Sequence, residues 1–231
     1  MNLCVIPARG GSKRIPRKNI KEFCGKPMIA YAVEAARSTL LFEHIVVSTE
    51  DKEIAKIANQ YGAETPFQRP SHLADDFTPT VSVIRHAIHE AESLGFVFQD
   101  VCCIYPAVPL LDANVIVSAK DLLRNRQNNY VLPIIEFPSS VQRAFSLLKG
   151  GELKPFFPEH ELERSQDLKS AFYDAGQFYW ADKDTWKNVE HIHANGAGLV
   201  VSACSAIDID TPDDWHFAEL LYATSRKKNE Q

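Results

Sequence analysis

Short apolar runs alternate along this chain with segments whose apolar residues recur every three to four positions. Leu3 to Ile6 is the first run and a helix opened by Pro27 follows; Ile45 to Ser48 precedes a helix from about Asp51 to Tyr61, closed by Gly62. Thr78 reads as the N-cap of a third helix with Pro79 in its first turn, Val81, Ile84, Ile88 and Ala91 on one face and Gly95 as the stop. Strand Val101 to Tyr105 comes next, then a helix capped by Asp112 that carries Val115, Ile116, Ala119, Leu122 and Leu123, then strand Tyr130 to Ile135. Parallel neighbours need a crossover and a helix supplies it, so this alternation predicts an α/β fold with helices on both faces of a mostly parallel sheet.

The period is lost after Glu136. Over residues 137–173, Pro138, Pro155 and Pro158 mix with Phe137, Phe145, Phe156 and Phe157, which predicts an inserted arm. Exposed aromatics on such an arm favour an interaction surface and a homodimer over a loop folded back on its own core. Regular structure resumes with Gln177 to Ala181 and Leu199 to Ala203. Thr211-Pro212-Asp213-Asp214 forms a capping box for a last helix, and the residues after Ser225 read as a solvated tail. Residues 1–231 therefore read as a single domain carrying this arm.

At 231 residues and 45% apolar content the chain can bury a substantial core. A net charge of −5 argues against nucleic acid as a partner, because that binding relies on a broad basic face. No apolar run approaches the roughly 20 residues of a membrane span. The chain also lacks a basic, apolar, small-residue leader at its start, so a soluble cytoplasmic protein with no membrane partner is expected. Among five cysteines, Cys4, Cys102, Cys103 and Cys204 sit in apolar strand-like runs and read as buried thiols. His86 with His89, and His191 with His193, lack a third ligand at zinc spacing and read as structural or surface residues. The indoles of Trp180, Trp186 and Trp215 read as core or interface residues rather than stacking platforms.

The chemistry begins where the first strand ends. Ala8-Arg9-Gly10-Gly11-Ser12-Lys13-Arg14-Ile15-Pro16-Arg17-Lys18-Asn19 gathers five cations around two glycines in an otherwise acidic chain. Gly10 and Gly11 can take backbone angles closed to other residues and aim successive N–H groups at anionic oxygens. This is not a Walker A loop, because no glycine stands at the required spacing before Gly11-Ser12-Lys13. Near the other end, Ile207-Asp208-Ile209-Asp210 spaces two carboxylates so that both emerge on one face of an extended strand end. Such a pair can share a hard cation such as Mg²⁺ with substrate phosphates.

The opening Ile-Pro-Ala-Arg-Gly-Gly-Ser-Lys run, Arg69-Pro70 with Leu73-Ala74, and Ile207-Asp208-Ile209-Asp210 resemble the CMP-sialic acid synthetase family of cytidylyltransferases. Cys103-Ile104-Tyr105-Pro106, Arg164-Ser165-Gln166-Asp167 and Tyr173-Asp174-Ala175-Gly176-Gln177-Phe178-Tyr179-Trp180 most resemble its pseudaminic acid branch. The resemblance implies a Rossmann-like three-layer sandwich of the nucleotidyltransferase type, with CTP and a nine-carbon 2-keto sugar acid as substrates. It further implies that Arg9 and Lys18 hold phosphates, that Ala8, Gly10, Gly11 and Ser12 line the triphosphate, and that Asn19, Arg69, Thr78 and Thr80 hold the nucleoside. Arg164, Tyr105, Gln166 and Gln177 would face the sugar, Asp208 and Asp210 would hold Mg²⁺, and either Asp208 or a hydroxide on the metal would take the proton. Tyr105 and Leu111 stand where sialic acid enzymes carry glutamine and often arginine, so the implied sugar site is more apolar. N-acetylneuraminate, legionaminate and KDO remain alternative acids. A catalytically silent nucleotide-binding module ranks below them, because both metal carboxylates are present.

Overall fold

The computed structural model describes residues 1–124, 130–194 and 196–229. β1 (Asn2–Pro7) runs into the basic loop, the hairpin β2 (Glu22–Phe23) and β3 (Lys26–Pro27) leads to α1 (Met28–Ser38), and β4 (His44–Ser48) leads to α2 (Lys52–Gln60). α3 (Thr80–Ser93), β5 (Asp100–Ile104), α4 (Ala113–Arg124) and β6 (Val131–Glu136) follow. The arm holds the hairpin β7 (Phe145–Leu147) and β8 (Leu153–Pro155). After it come β9 (Phe172–Asp174), β10 (Phe178–Asp182), α5 (Lys183–Asn188), β11 (Ala197–Val200) and α6 (Pro212–Asn229).

The central sheet has seven strands in the order β11-β6-β10-β5-β1-β4, with β9 also on β6. β1 is parallel to β4 and β5, and β11 to β6, whereas β9 and β10 run antiparallel to their neighbours. Alternation along β1 sends Cys4 and Ile6 to the face covered by α1, α2 and α4, and Leu3 and Val5 to the face covered by α3 and α5. Apolar demand on both faces is why this strand reads as one continuous apolar run. The indoles behave as core anchors: Trp180 Nε1 donates to the Ile116 carbonyl at 3.2 Å, and Trp186 Nε1 to the Val101 carbonyl at 3.1 Å.

Most element boundaries match the pattern. Asp51 caps α2 by accepting from the Glu53 and Ile54 amides, and Gly62 (φ +93°) and Gly95 (φ +84°) end α2 and α3. Thr211 and Asp214 make the reciprocal bonds of a capping box. Four details differ. Pro79, extended at ψ 144°, precedes α3 and leaves no side-chain cap, because the Thr78 hydroxyl is 2.7 Å from Asp75 Oδ1 instead. β11 ends at Val200, so the chain leaves the sheet before the turn at Ala203–Ser205 and Cys204 is exposed, while Cys4, Cys102 and Cys103 are buried. The residues after Ser225 continue α6 to Asn229, since neither Gly nor Pro follows Pro212 to stop it. Asp208 and Asp210 lie on an extended segment outside the sheet.

The arm carries its aromatics outward. Phe145, Leu147, Leu153 and Phe156 are each more than half exposed. No helix among the described residues is long and apolar enough to cross a membrane.

Candidate active site

A cleft of about 590 Å³ opens at the carboxyl ends of β1 and β5, where open α/β sheets present their ligand sites. It is walled by the basic loop on one side and by Ile207, Asp208 and Asp210 on the other, with Arg69, Thr78, Thr80 and Tyr105 between them. Arg9, Ser12, Lys18, Asn19, Arg69, Thr78, Thr80, Tyr105, Asp208 and Asp210, all singled out in the sequence, thus converge on one cavity.

Charge around the cleft is paired across long sequence distances. Arg9 Nη1 donates to Asp76 Oδ1 at 2.6 Å and to the Asp75 carbonyl at 2.7 Å, and Lys13 bonds the other oxygen of Asp76. Arg14 Nη2 lies 2.9 Å from Asp210 Oδ2, and Lys18 Nζ lies 2.7 Å from the Ile209 carbonyl and 3.5 Å from Asp210 Oδ1. The Asp76 partnership was not legible in the sequence. The fifth cation turns away: Arg17 adopts φ 56° and its guanidinium bonds Asp51 and Glu53. This ion pair raises the Arg17 pKa and holds the Asp51 carboxyl down at about 2.

The glycines act differently from the expectation. Neither Gly10 nor Gly11 has a positive φ. Gly10 donates its N–H to Glu50 Oε1 at 2.7 Å, away from the cleft, and a Cβ on it would lie 2.5 Å from Asp51 Oδ2. Close approach to the α2 cap, not a left-handed turn, is what requires glycine at position 10. Ala8 is fully buried, its amide bonded to the Ser48 carbonyl, and belongs to the core beneath the loop.

Two polar groups expected at the nucleoside line the cleft. Asn19 Nδ2 donates to the Arg9 carbonyl at 2.9 Å, while its Oδ1 is buried with no partner. An orphaned buried acceptor beside a cleft suits a donor on a ligand. Arg69 is 4% exposed and spends Nε on Ser48 Oγ at 3.1 Å and Nη2 on the Ser48 carbonyl. Burial lowers its pKa to about 10, so it stays cationic at neutral pH.

Asp208 opens onto the cleft, yet the crowding of that wall desolvates its carboxyl and, with the charge of Asp210 added, raises its pKa. Ile209 between them is buried in a small core with Trp215 and Phe23, which fixes both carboxylates on the cleft side. No cluster of three or more His, Cys, Asp or Glu side chains with metal-holding geometry exists among the described residues. Two carboxylates beside a cluster of cations nevertheless fit a hard cation that takes its other ligands from phosphate and water.

Four expected sugar-site residues lie elsewhere. Gln177 is buried and its amide donates to the Ser205 carbonyl at 2.8 Å, tying β10 to the turn that leads to Asp208. Leu111 packs against the main core. Arg164 and Gln166 sit on the exposed arm, with Arg164 Nε 2.9 Å from Asp167, outside the cleft of their own chain.

A family model for cytidylyltransferases matches residues 3–191. The chain belongs to the cytidylyltransferase family. A pseudaminic acid cytidylyltransferase from Campylobacter jejuni subsp. jejuni serotype O:23/36 (strain 81-176) is 39% identical over 227 residues, 98% of each chain. A CMP-N,N'-diacetyllegionaminic acid synthase from Legionella pneumophila subsp. pneumophila (strain Philadelphia 1) is 33% identical over 224 residues, 95% of each chain. The fold of this cytidylyltransferase is similar to the solved structure of CMP:2-keto-3-deoxy-manno-octonic acid synthetase complexed with CTP. The TM-score is 0.73 at 16% identity, covering 97% of this chain and 99% of that one.

Proposed function

We propose that the chain transfers a cytidylyl group from CTP to pseudaminic acid, giving the CMP-sugar and pyrophosphate. The observation that carries this reading is the 39% identity to a pseudaminic acid cytidylyltransferase over 98% of both chains. The convergence of the basic loop and the acidic pair on one cleft supports it.

In this reading the anomeric hydroxyl oxygen forms a bond to the α-phosphorus while the bond from that phosphorus to the bridging oxygen breaks. Pyrophosphate leaves, and the hydroxyl proton departs towards Asp208. Arg9, Lys13, Arg14 and Lys18 neutralise the triphosphate, with Arg9 and Lys18 carrying the charge that grows on the leaving group. Asn19 Oδ1 and the remaining donors of Arg69 hold the nucleoside, with Thr80 beside them. Asp208 and Asp210 would hold Mg²⁺, which when bound supplies Lewis-acid charge to the phosphates.

In this reading the sugar lies against Tyr105, Pro106, Ala107 and Ile207, which are among the residues lining the cleft. That apolar character suits a deoxy methyl terminus better than a glycerol chain, whose buried hydroxyls left unpaired would cost about 1–3 kcal/mol each. Diacetyllegionaminate is the second reading, favoured by the 33% identical Legionella relative. The exposed apolar arm and the distance of Arg164 and Gln166 from their own cleft support a homodimer in which residues 137–173 of one copy complete the sugar site of the other. The site of action is the cytoplasm.

Incubation with CTP and one acid at a time, followed by pyrophosphate release and mass spectrometry of the glycosyl product, tests this. CMP-pseudaminate is the expected product. Release of pyrophosphate without any acid, or no turnover across the panel, contradicts the proposal.

A further inference from the structure

Asp174 ends β9, and one carboxylate there holds three different groups. Its Oδ1 accepts the Gly176 amide at 2.8 Å, while Oδ2 accepts the Tyr179 hydroxyl at 2.7 Å and lies 2.8 Å from His193 Nε2. Gly176 takes φ +64°, a conformation that side chains resist, and lines the cleft. Tyr179 is buried, and its ring stands edge-on to Tyr105 with centroids 5.6 Å apart and an interplanar angle of 83°. On the far side the Tyr105 hydroxyl is 2.8 Å from Thr80 Oγ1. Tyr105 is therefore gripped from two directions, by Thr80 through its hydroxyl and by Tyr179 against its ring. Only the second grip is anchored by a charge.

We propose that Asp174 is a positioning residue for the sugar-acid end of the cleft, acting through Tyr179 on Tyr105 and through the Gly176 amide on the turn beside it. The inference rests on the reading of the site as a cytidylyltransferase centre whose sugar end includes Tyr105. Asp174 touches no reacting atom. Its carboxylate uses lone pairs on both oxygens, fixing the hydroxyl of a packed phenol and a glycine turn that would otherwise sample many backbone states. Burial raises the Tyr105 pKa to about 12 and pushes Tyr179 higher still, so both phenols remain neutral hydrogen-bonding surfaces. A rigid, uncharged wall reduces the ordering that a bound sugar must otherwise impose. His193, weak as a metal ligand in the sequence, belongs to this cluster.

Steady-state kinetics with both substrates varied, on the full chain carrying Asp174→Asn, Tyr179→Phe or both, test the proposal. Asp174→Asn keeps the shape and loses the charge. It is expected to raise the KM for the sugar acid about tenfold, the scale of one charged hydrogen bond, and to leave the KM for CTP within about twofold. Tyr179→Phe removes only the hydroxyl, gives a smaller rise in the same constant, and in combination with Asp174→Asn adds nothing, because the Tyr179 hydroxyl acts only through its bond to Asp174. An equal rise in both KM values, no change in either, or additive effects in the double variant would overturn it. Should Asp174→Asn fail to fold, Tyr179→Phe alone carries the test, and an unchanged sugar-acid KM overturns the proposal. Absence of turnover in the unsubstituted protein defeats the functional reading itself, and the inference with it.

Discussion

Lys18 and Asp210, 192 positions apart, meet at the mouth of the cleft, with Nζ 3.5 Å from Oδ1 and 2.7 Å from the Ile209 carbonyl. The contact joins the loop proposed to hold phosphate to the segment proposed to hold the cation. Asp210→Asn should lower kcat by at least about 100-fold, the usual scale for losing a group that stabilises transition-state charge. Its cost in stability should stay within about 1 kcal/mol, because Arg14 and Lys18 are partly exposed partners and Lys18 keeps the Ile209 carbonyl. Turnover near that of the unsubstituted protein at saturating CTP would remove Asp210 from the metal site.

Arg9 and Asp76 allow binding to be separated from catalysis. Arg9→Ala should lower kcat as well as raise the CTP KM, because charge on the α-phosphate and the leaving pyrophosphate grows in the transition state. Asp76 bonds Arg9 and Lys13, so an incoming triphosphate must compete with it for the same donors. Asp76→Asn should accordingly lower the CTP KM several-fold with little change in kcat, as expected when a competing anion is removed. Measuring both constants for each variant decides the matter, and a rise in the CTP KM for Asp76→Asn would show that this carboxylate orders the loop instead of competing for it.

Acid sensitivity should trace in part to Asp51. Its pKa is held at about 2 against an ordinary 3.8, first by Arg17 and then by the α2 amides that it caps. A carboxylate depressed on folding contributes stability above its unfolded pKa and loses it as pH falls through the folded one, here between about pH 4 and pH 2. Asp51→Asn can still cap, yet it should be less stable by about 1–2 kcal/mol at pH 6, and the two proteins should converge as pH approaches 2. Urea titrations at several pH values would check this, and a constant difference across the range would contradict it.

The arm offers a solution test. Phe145 and Phe156 are 51% and 61% exposed, and Phe145→Glu with Phe156→Glu should convert the proposed dimer to a monomer in light scattering, with loss of sugar-acid turnover and retention of CTP binding. A monomeric but fully active variant would separate the arm from the site.

Much of the architecture was legible because periodicity reports burial directly. β1, β4 and β5 needed apolar residues on both faces, and Asp51, Gly62, Gly95 and the Thr211–Asp214 box announced their helix ends. The site residues were legible as types, since clustered cations and spaced carboxylates are local features. Pairings between distant segments were not. Nothing near Asp76 indicates that Arg9 and Lys13 would reach it, and nothing in the local pattern around Gln177 shows that its amide would be spent on Ser205. Gly10 misled for a related reason: its constraint comes from the Asp51 side chain, 41 positions on, and not from its own turn.

The central claim is the identity of the acid, and the ratio of kcat/KM for pseudaminate to that for N-acetylneuraminate, at saturating CTP, tests it most directly. Two unpaired buried hydroxyls on the poorer substrate, at about 1–3 kcal/mol each, predict a ratio of at least about 30 in favour of pseudaminate. Comparable efficiency on the two acids would contradict the account.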